Sequence, residues 1–240
     1  MPDSLADAHL TSLAGDREAL RAIDPTTLDN PVPGCPDWDV TALLGHLGWV
    51  HRFAALCLAA DPDDDLPLPD AHPPNHRALI AWVDDGMGAL LAELDPPDLD
   101  RPCPSFLGPS TRRWWLRRQA FETAVHRWDA QSASGRTASI PNAADGIDEW
   151  LDLQPARGWV PPTDLTGTIH LHSTDGNGGA GEWFIELAGA LRWEHAHRKG
   201  DVAVRGPASD LYLMLWGRLP ASELDVVGDI ALLDRFLGTP

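Results

Sequence analysis

Residues 117–129 read RRQAFETAVHRWD and place Glu122 and His126 four positions apart in a stretch of helical character. At about 100° per residue the two side chains project from one helix face, a turn apart. A carboxylate and an imidazole so placed can reach one metal ion, as where helical Glu and His side chains converge inside a bundle. The same spacing also describes an exposed i,i+4 pair worth a few tenths of a kcal/mol. The stretch alone leaves both readings open.

Working outward, periodicity predicts three further helices before it. Residues 4–22 carry Leu5, His9, Leu13 and Leu20 roughly on one face, with His9 read as a packed or hydrogen-bonded residue. The turn PVPGCPDW (31–38) contains three prolines, which fix φ and exclude helix. A second helix over 39–60 can be capped by Asp37 or Asp39 and has the apolar stripe Val40, Leu43, Leu44, Leu47, Val50, Ala54 and Leu58. His51 projects near the centre of that stripe and His46 onto its flank, so periodicity prefers His51 as the inward histidine. Residues 61–74 form an acidic, Pro-rich loop, and a third helix spans 75–94, weakened by Gly86 and Gly88 at about 1 kcal/mol each. A second Pro-rich loop (95–109) leads into the helix near 110–131 that carries Glu122 and His126. Its apolar side is Trp114, Phe121, Val125 and Trp128. Four helices joined by longer loops predict a bundle over residues 1–132.

Beyond it, residues 133–163 read as a linker with at most a short turn around 147–153. The period then becomes two. In LTGTIHLHST (165–174), Leu165, Ile169 and Leu171 face one way, and Thr168, His170 and His172 the other. DGNGGAG (175–181) is a turn, GEWFIEL (181–187) and RWEHAH (192–197) are strands, and 202–204 is another. A helix from Pro207, a short strand at 225–227 and a helix at 229–237 complete an α+β domain over 164–240 with helices on one sheet face.

Composition narrows the function. The chain has 240 residues, a formal charge of −18 and eleven Trp against one Tyr. So acidic a surface repels phosphate backbones and argues against nucleic-acid binding. No apolar run approaches the length of a membrane span, MPDSLADAHL lacks the layout of a secretion signal, and Cys35, Cys57 and Cys103 fall at unrelated spacings. A cytoplasmic protein with reduced thiols is the expectation.

Three segments in order, VPGCPDWDVTALLGHLGWVHRF (32–53), RRQAFETAVHRWDA (117–130), and a tail with TIHLHSTD, GEW, VRGPASDLYLMLWGR and VVGD, resemble the mycothiol-dependent maleylpyruvate isomerase family. The resemblance covers nearly the whole chain apart from the Pro-rich loops and the linker. It implies a DinB-like four-helix bundle followed by a small α+β domain of sterol-carrier type. It also implies a divalent ion, usually zinc, on His46, Glu122 and His126, which sets His46 above His51. Arg118 and Asp129 are candidate neighbours of those ligands, with surface salt bridges as the plainer account. Arg218, in the family-like LWGR, is the candidate cationic clamp for an acidic substrate, or else caps the carbonyl end of its own helix. Cys35 reads as a packed thiol.

The function implied is a mycothiol S-transferase or cis–trans isomerase in which the thiol is activated at the metal. Its partners would be mycothiol and a small electrophile, and the chain a monomer or homodimer. A non-catalytic carrier on the same scaffold and a thiol-independent metal hydrolase are the alternatives.

Overall fold

The Asp39 carboxylate accepts from Ala42 N at 2.7 Å and thereby starts the most apolar helix of the chain. The computed structural model describes residues 4–95, 98–175 and 181–239. It divides into two units, Met1–Ile140 and Pro141–Pro240.

The first unit contains α1 (Ser4–Arg21), α2 (Val40–Ala59), α3 (His76–Glu93) and α4 (Arg112–Ser132). α2 packs against α3 and α4, and α1 packs against α4 and α3. Leu43, Leu44, Leu47, Ala54 and Leu58 of α2 are buried as the stripe predicts, together with Leu79, Val83 and Leu90 of α3. α2 is long and apolar enough to cross a membrane by composition, but most of it is packed inside the protein. On α1, His9 is buried with its ring edge-on to Phe121.

The α2–α3 seam explains two glycines that weaken their helices. A Cβ at Gly48 would overlap the Trp82 ring, and one at Gly86 would strike the Arg52 guanidinium. That guanidinium lies 4.0 Å over the Trp82 ring and donates to the carbonyls of Gly48 and Trp82, both at 2.8 Å. Two hydrogen bonds and a cation–π contact, each worth roughly 0.5–1.5 kcal/mol, offset the helix-propensity cost of Gly86.

Three expectations are corrected. The loop expected at 95–109 contains a hairpin, β1 (Pro102–Ser105) and β2 (Gly108–Thr111), with Pro104 opposite Pro109. A two-stranded ribbon tolerates prolines because each strand has an unpaired edge. The linker expected at 133–163 holds a helix, α5 (Ala143–Ala156), whose Ile147, Trp150 and Leu151 are buried. Finally, α4 is buried nearly all round, Trp115 included, so it has no single apolar side. α1, α2 and the hairpin surround it.

The second unit has β3 (Gly167–Ser173), β4 (Glu182–Leu187), β5 (Leu191–Glu194), β6 (Val202–Gly206), α6 (Ala208–Leu215), β7 (Asp225–Gly228) and α7 (Ile230–Leu237). The strands form one mixed sheet in the order β5-β4-β3-β6-β7, with β3 and β6 parallel and the other pairs antiparallel. Ile169, Leu171, Trp183, Ile185, Val202 and Val204 share the buried face, and α5, α6 and α7 pack on the sheet. Trp183 and Trp193 donate their indole N–H groups to Asp148 and Asp152 of α5. The predicted turn at 175–181 lies mostly outside the described residues.

Candidate metal centre

Two helices bring the predicted ligands together. α4 presents Glu122 and His126 one turn apart, and α2 presents His46 opposite them. Glu122 Oε1 is 3.3 Å from His46 Nε2 and 3.2 Å from His126 Nε2. A tetrahedral ion with ligand bonds near 2.0–2.1 Å separates its ligands by about 3.3–3.4 Å. Both histidine nitrogens therefore already sit at the spacing of a tetrahedron's edge from Glu122 Oε1, all three donors fall within 4.8 Å of one another, and their types suit a zinc-like ion. The His46 side chain is 36% exposed while those of Glu122 and His126 are largely covered, so the cluster opens to solvent on one side.

The surrounding residues orient these three. Arg118 donates to Glu122 Oε2 at 2.7 Å. His126 Nδ1 lies 3.0 Å from Asp129 Oδ2. A carboxylate only accepts, so Nδ1 carries a proton, and loss of the Nε2 proton leaves that nitrogen's lone pair facing the cluster. Arg118 and Asp129 are buried, which corrects the surface-salt-bridge reading. Burial of Asp129 makes it a fixed acceptor for one tautomer.

Burial alone would raise Glu122, but His126, His46 and Arg118 outweigh it and hold the carboxyl well below its usual range. For His126 burial works downward, yet the carboxylates of Glu122 and Asp129 prevail and raise the imidazole to about 9. An ion bound here at neutral pH therefore displaces a proton from His126.

The turn 31–38 supplies parts of the site that sequence reasoning missed. Val32 N bonds to Trp38 O at 2.9 Å and Trp38 N to Cys35 O at 2.8 Å, which folds the turn against α2. The Trp38 ring then lies 5.0 Å from that of His46 and 6.3 Å from that of His126. Cys35 Sγ donates to Asp129 Oδ2 at 3.8 Å. The signals in the sequence were the position of Trp38 next to the capping Asp39 and the inclusion of 32–38 in the segment that carries the resemblance.

His51 is the inward histidine that periodicity picks, and it is a core residue outside the ligand cluster. It is 0% exposed, with Nε2 3.0 Å from Thr123 Oγ1. Burial drives its imidazole down to about 3, against 6.5 for an ordinary histidine. Between those values the unfolded chain binds a proton that the folded chain does not. The stability involved is present in full above pH 6.5 and is lost as pH falls toward 3. With a chelator present, stability should fall by on the order of 1 kcal/mol per pH unit between pH 6 and 4.5. Denaturant melts of the native chain and of His51→Asn will measure it. An equal slope in both would show that His51 is not the cause.

Arg218 lies in the second unit, where its Nη1 donates to the Trp216 carbonyl at the end of α6, at 2.8 Å. His170 and His172 share one face of β3 and gather with Glu182 and His197, a cluster separate from His46, Glu122 and His126.

The N-terminal domain model of mycothiol maleylpyruvate isomerase matches residues 12–131, and the C-terminal domain model of the same family matches residues 142–235. Among solved structures, the mycothiol-dependent maleylpyruvate isomerase superposes with a TM-score of 0.56 at 14% identity, covering 92% of each chain. A histidine-to-alanine variant of that enzyme gives a TM-score of 0.57 at the same identity and coverage. At this identity the superposition speaks for the fold. No curated protein sequence matches this chain. With both domain models matching in order along nearly its whole length, this chain belongs to the mycothiol maleylpyruvate isomerase family.

Proposed function

We propose that this chain is a metal-dependent, cytoplasmic enzyme that uses mycothiol against an electrophilic small molecule, as an S-transferase or as a cis–trans isomerase of the maleylpyruvate type. The first unit is read as the family's DinB-like four-helix bundle and the second as its sterol-carrier-like domain. One observation carries the reading, the convergence of His46 Nε2 and His126 Nε2 on Glu122 Oε1 at 3.3 and 3.2 Å. His46, Glu122 and His126 would hold a divalent ion of zinc type and leave its fourth position open, as catalytic sites do. When bound, such an ion holds a coordinated thiol as thiolate at neutral pH.

The chain's own residues prepare that position. Asp129 keeps the His126 proton on Nδ1. Arg118 fixes the Glu122 carboxylate through the oxygen that faces away from the histidines. Trp38 walls the cluster beside both imidazoles. Arg218 is assigned as the clamp for an acidic substrate on the resemblance of its LWGR segment alone.

Cobalt-loaded protein titrated with mycothiol tests the reading. A sulfur-to-cobalt absorption should appear at one thiol per chain, and turnover of cis-enedioyl acids or of alkylating electrophiles should require thiol and metal together. An unchanged spectrum with no turnover would favour a carrier. Turnover indifferent to thiol would replace this reading with a hydrolase.

A further inference from the structure

The second unit contains a second convergence of metal-ligating side chains, independent of the function proposed above. His170 and His172 stand two residues apart on β3 and so project from the same face of the sheet. Glu182 of β4 is the register partner of His172 and shares that face. The chain leaves β5 after Glu194, and His197 comes back over the same spot.

Around one carboxylate the donors are close. His170 Nε2 lies 2.5 Å from Glu182 Oε2, and His172 Nδ1 and His197 Nδ1 lie 2.6 and 3.1 Å from Glu182 Oε1. All four ligand atoms fall within 4.8 Å of one another. The three rings stand nearly perpendicular, at 78°, 87° and 72°. Each ring presents one nitrogen to the Glu182 carboxylate.

We propose that His170, His172, Glu182 and His197 form a second divalent-metal site, of the closed four-ligand kind that stabilises structure. Nitrogen and carboxylate donors in this ratio select a zinc-like or nickel-like ion over calcium or magnesium. The ion would fasten the segment between β5 and β6 onto β3 and β4. Admitting it requires the Glu182 carboxylate to draw back by several tenths of an ångström, toward the ligand spacing of about 3.3 Å. His197 supplies the strongest argument. Its side chain is 78% exposed, and one hydrogen bond at such a place contributes little against water. A ligand bond gives that side chain a reason to return to the sheet.

Zinc binding to tag-free, metal-stripped full-length chain tests the site, by equilibrium dialysis with elemental analysis and by competition with a chromophoric chelator. The native chain should bind two equivalents. His126→Ala should lose one and keep the other. His197→Ala, an exposed position whose change leaves the fold intact, should weaken only the other, by at least about tenfold. His170→Gln with His172→Gln should do the same. In the His126→Ala background, zinc should also raise the melting temperature, and His197→Ala should erase that rise. One equivalent lost in His126→Ala and untouched by His197→Ala would overturn the second site. One equivalent lost in His197→Ala alone would uphold it and remove the first. No bound zinc in any form would overturn both.

Discussion

Replacing His126 with alanine is expected to strip the metal from the α2–α4 cluster and to end thiol-dependent turnover. Two ligands would remain, His46 and Glu122, and Glu122 would stay ion-paired with Arg118. A metal's electrostatic assistance is worth several kcal/mol, and each 1.36 kcal/mol is tenfold in rate, so the loss should be on the order of a thousandfold or more. Elemental analysis and kcat/KM with mycothiol will measure both effects. Because His126 also partners the buried Asp129, His126→Gln serves as a second variant that fills the same volume. His46→Ala should behave like His126→Ala, whereas His51→Asn should keep its metal, since His51 bonds to Thr123 and not to Glu122. Full metal content and turnover in His126→Ala would remove the catalytic reading.

The neighbouring residue on α4 should give the largest change in stability. Arg127 Nε donates to Asp16 Oδ1 at 2.9 Å, with both side chains about 95% buried. The same guanidinium also donates to Gln131 and to the carbonyls of Ala138 and Ser139. Burial already pushes the Asp16 carboxyl above its usual range despite Arg127. Arg127→Met would leave that carboxyl without its cation, at a cost of about 3–5 kcal/mol. In a unit of this size the melting temperature should fall by roughly 10 °C. Adding Asp16→Asn should recover part of the loss, because a buried neutral pair avoids the stranded charge. A melting temperature within a degree of the native chain's would show that the pair contributes nothing.

The sequence made the helices legible where one face was apolar and one was not. α2 is such a case, and its cap, its stripe and the inward His51 follow from periodicity. α4 is the opposite case. Its charged residues Arg118, Arg127 and Asp129 are buried in pairs, so a helical wheel that sends charge outward could not place them. His46 lies on the flank of the stripe, at the partly open side of the cluster, and only the resemblance of its surrounding segment singled it out.

Elsewhere composition concealed structure. α5 begins after Asn142 in a left-handed conformation and has Pro155 in its last turn, so its Ala, Gly and Pro content reads as linker. The spacing of Ile147, Trp150, Leu151 and Gln154 was nonetheless helical. His197 could not be placed, because 192–197 reads as one strand and nothing in it marks the departure from the sheet after Glu194.

Where Gly48 faces Trp82, the clearance between α2 and α3 is less than a methyl group. His46 lies two residues earlier on the same rod. The reach of the third donor toward α4 is thus fixed by a fitted surface on the far flank of its own helix, like a shim behind a bearing. Tolerance at a glycine outside the cluster therefore bears on the spacing of the three candidate donors.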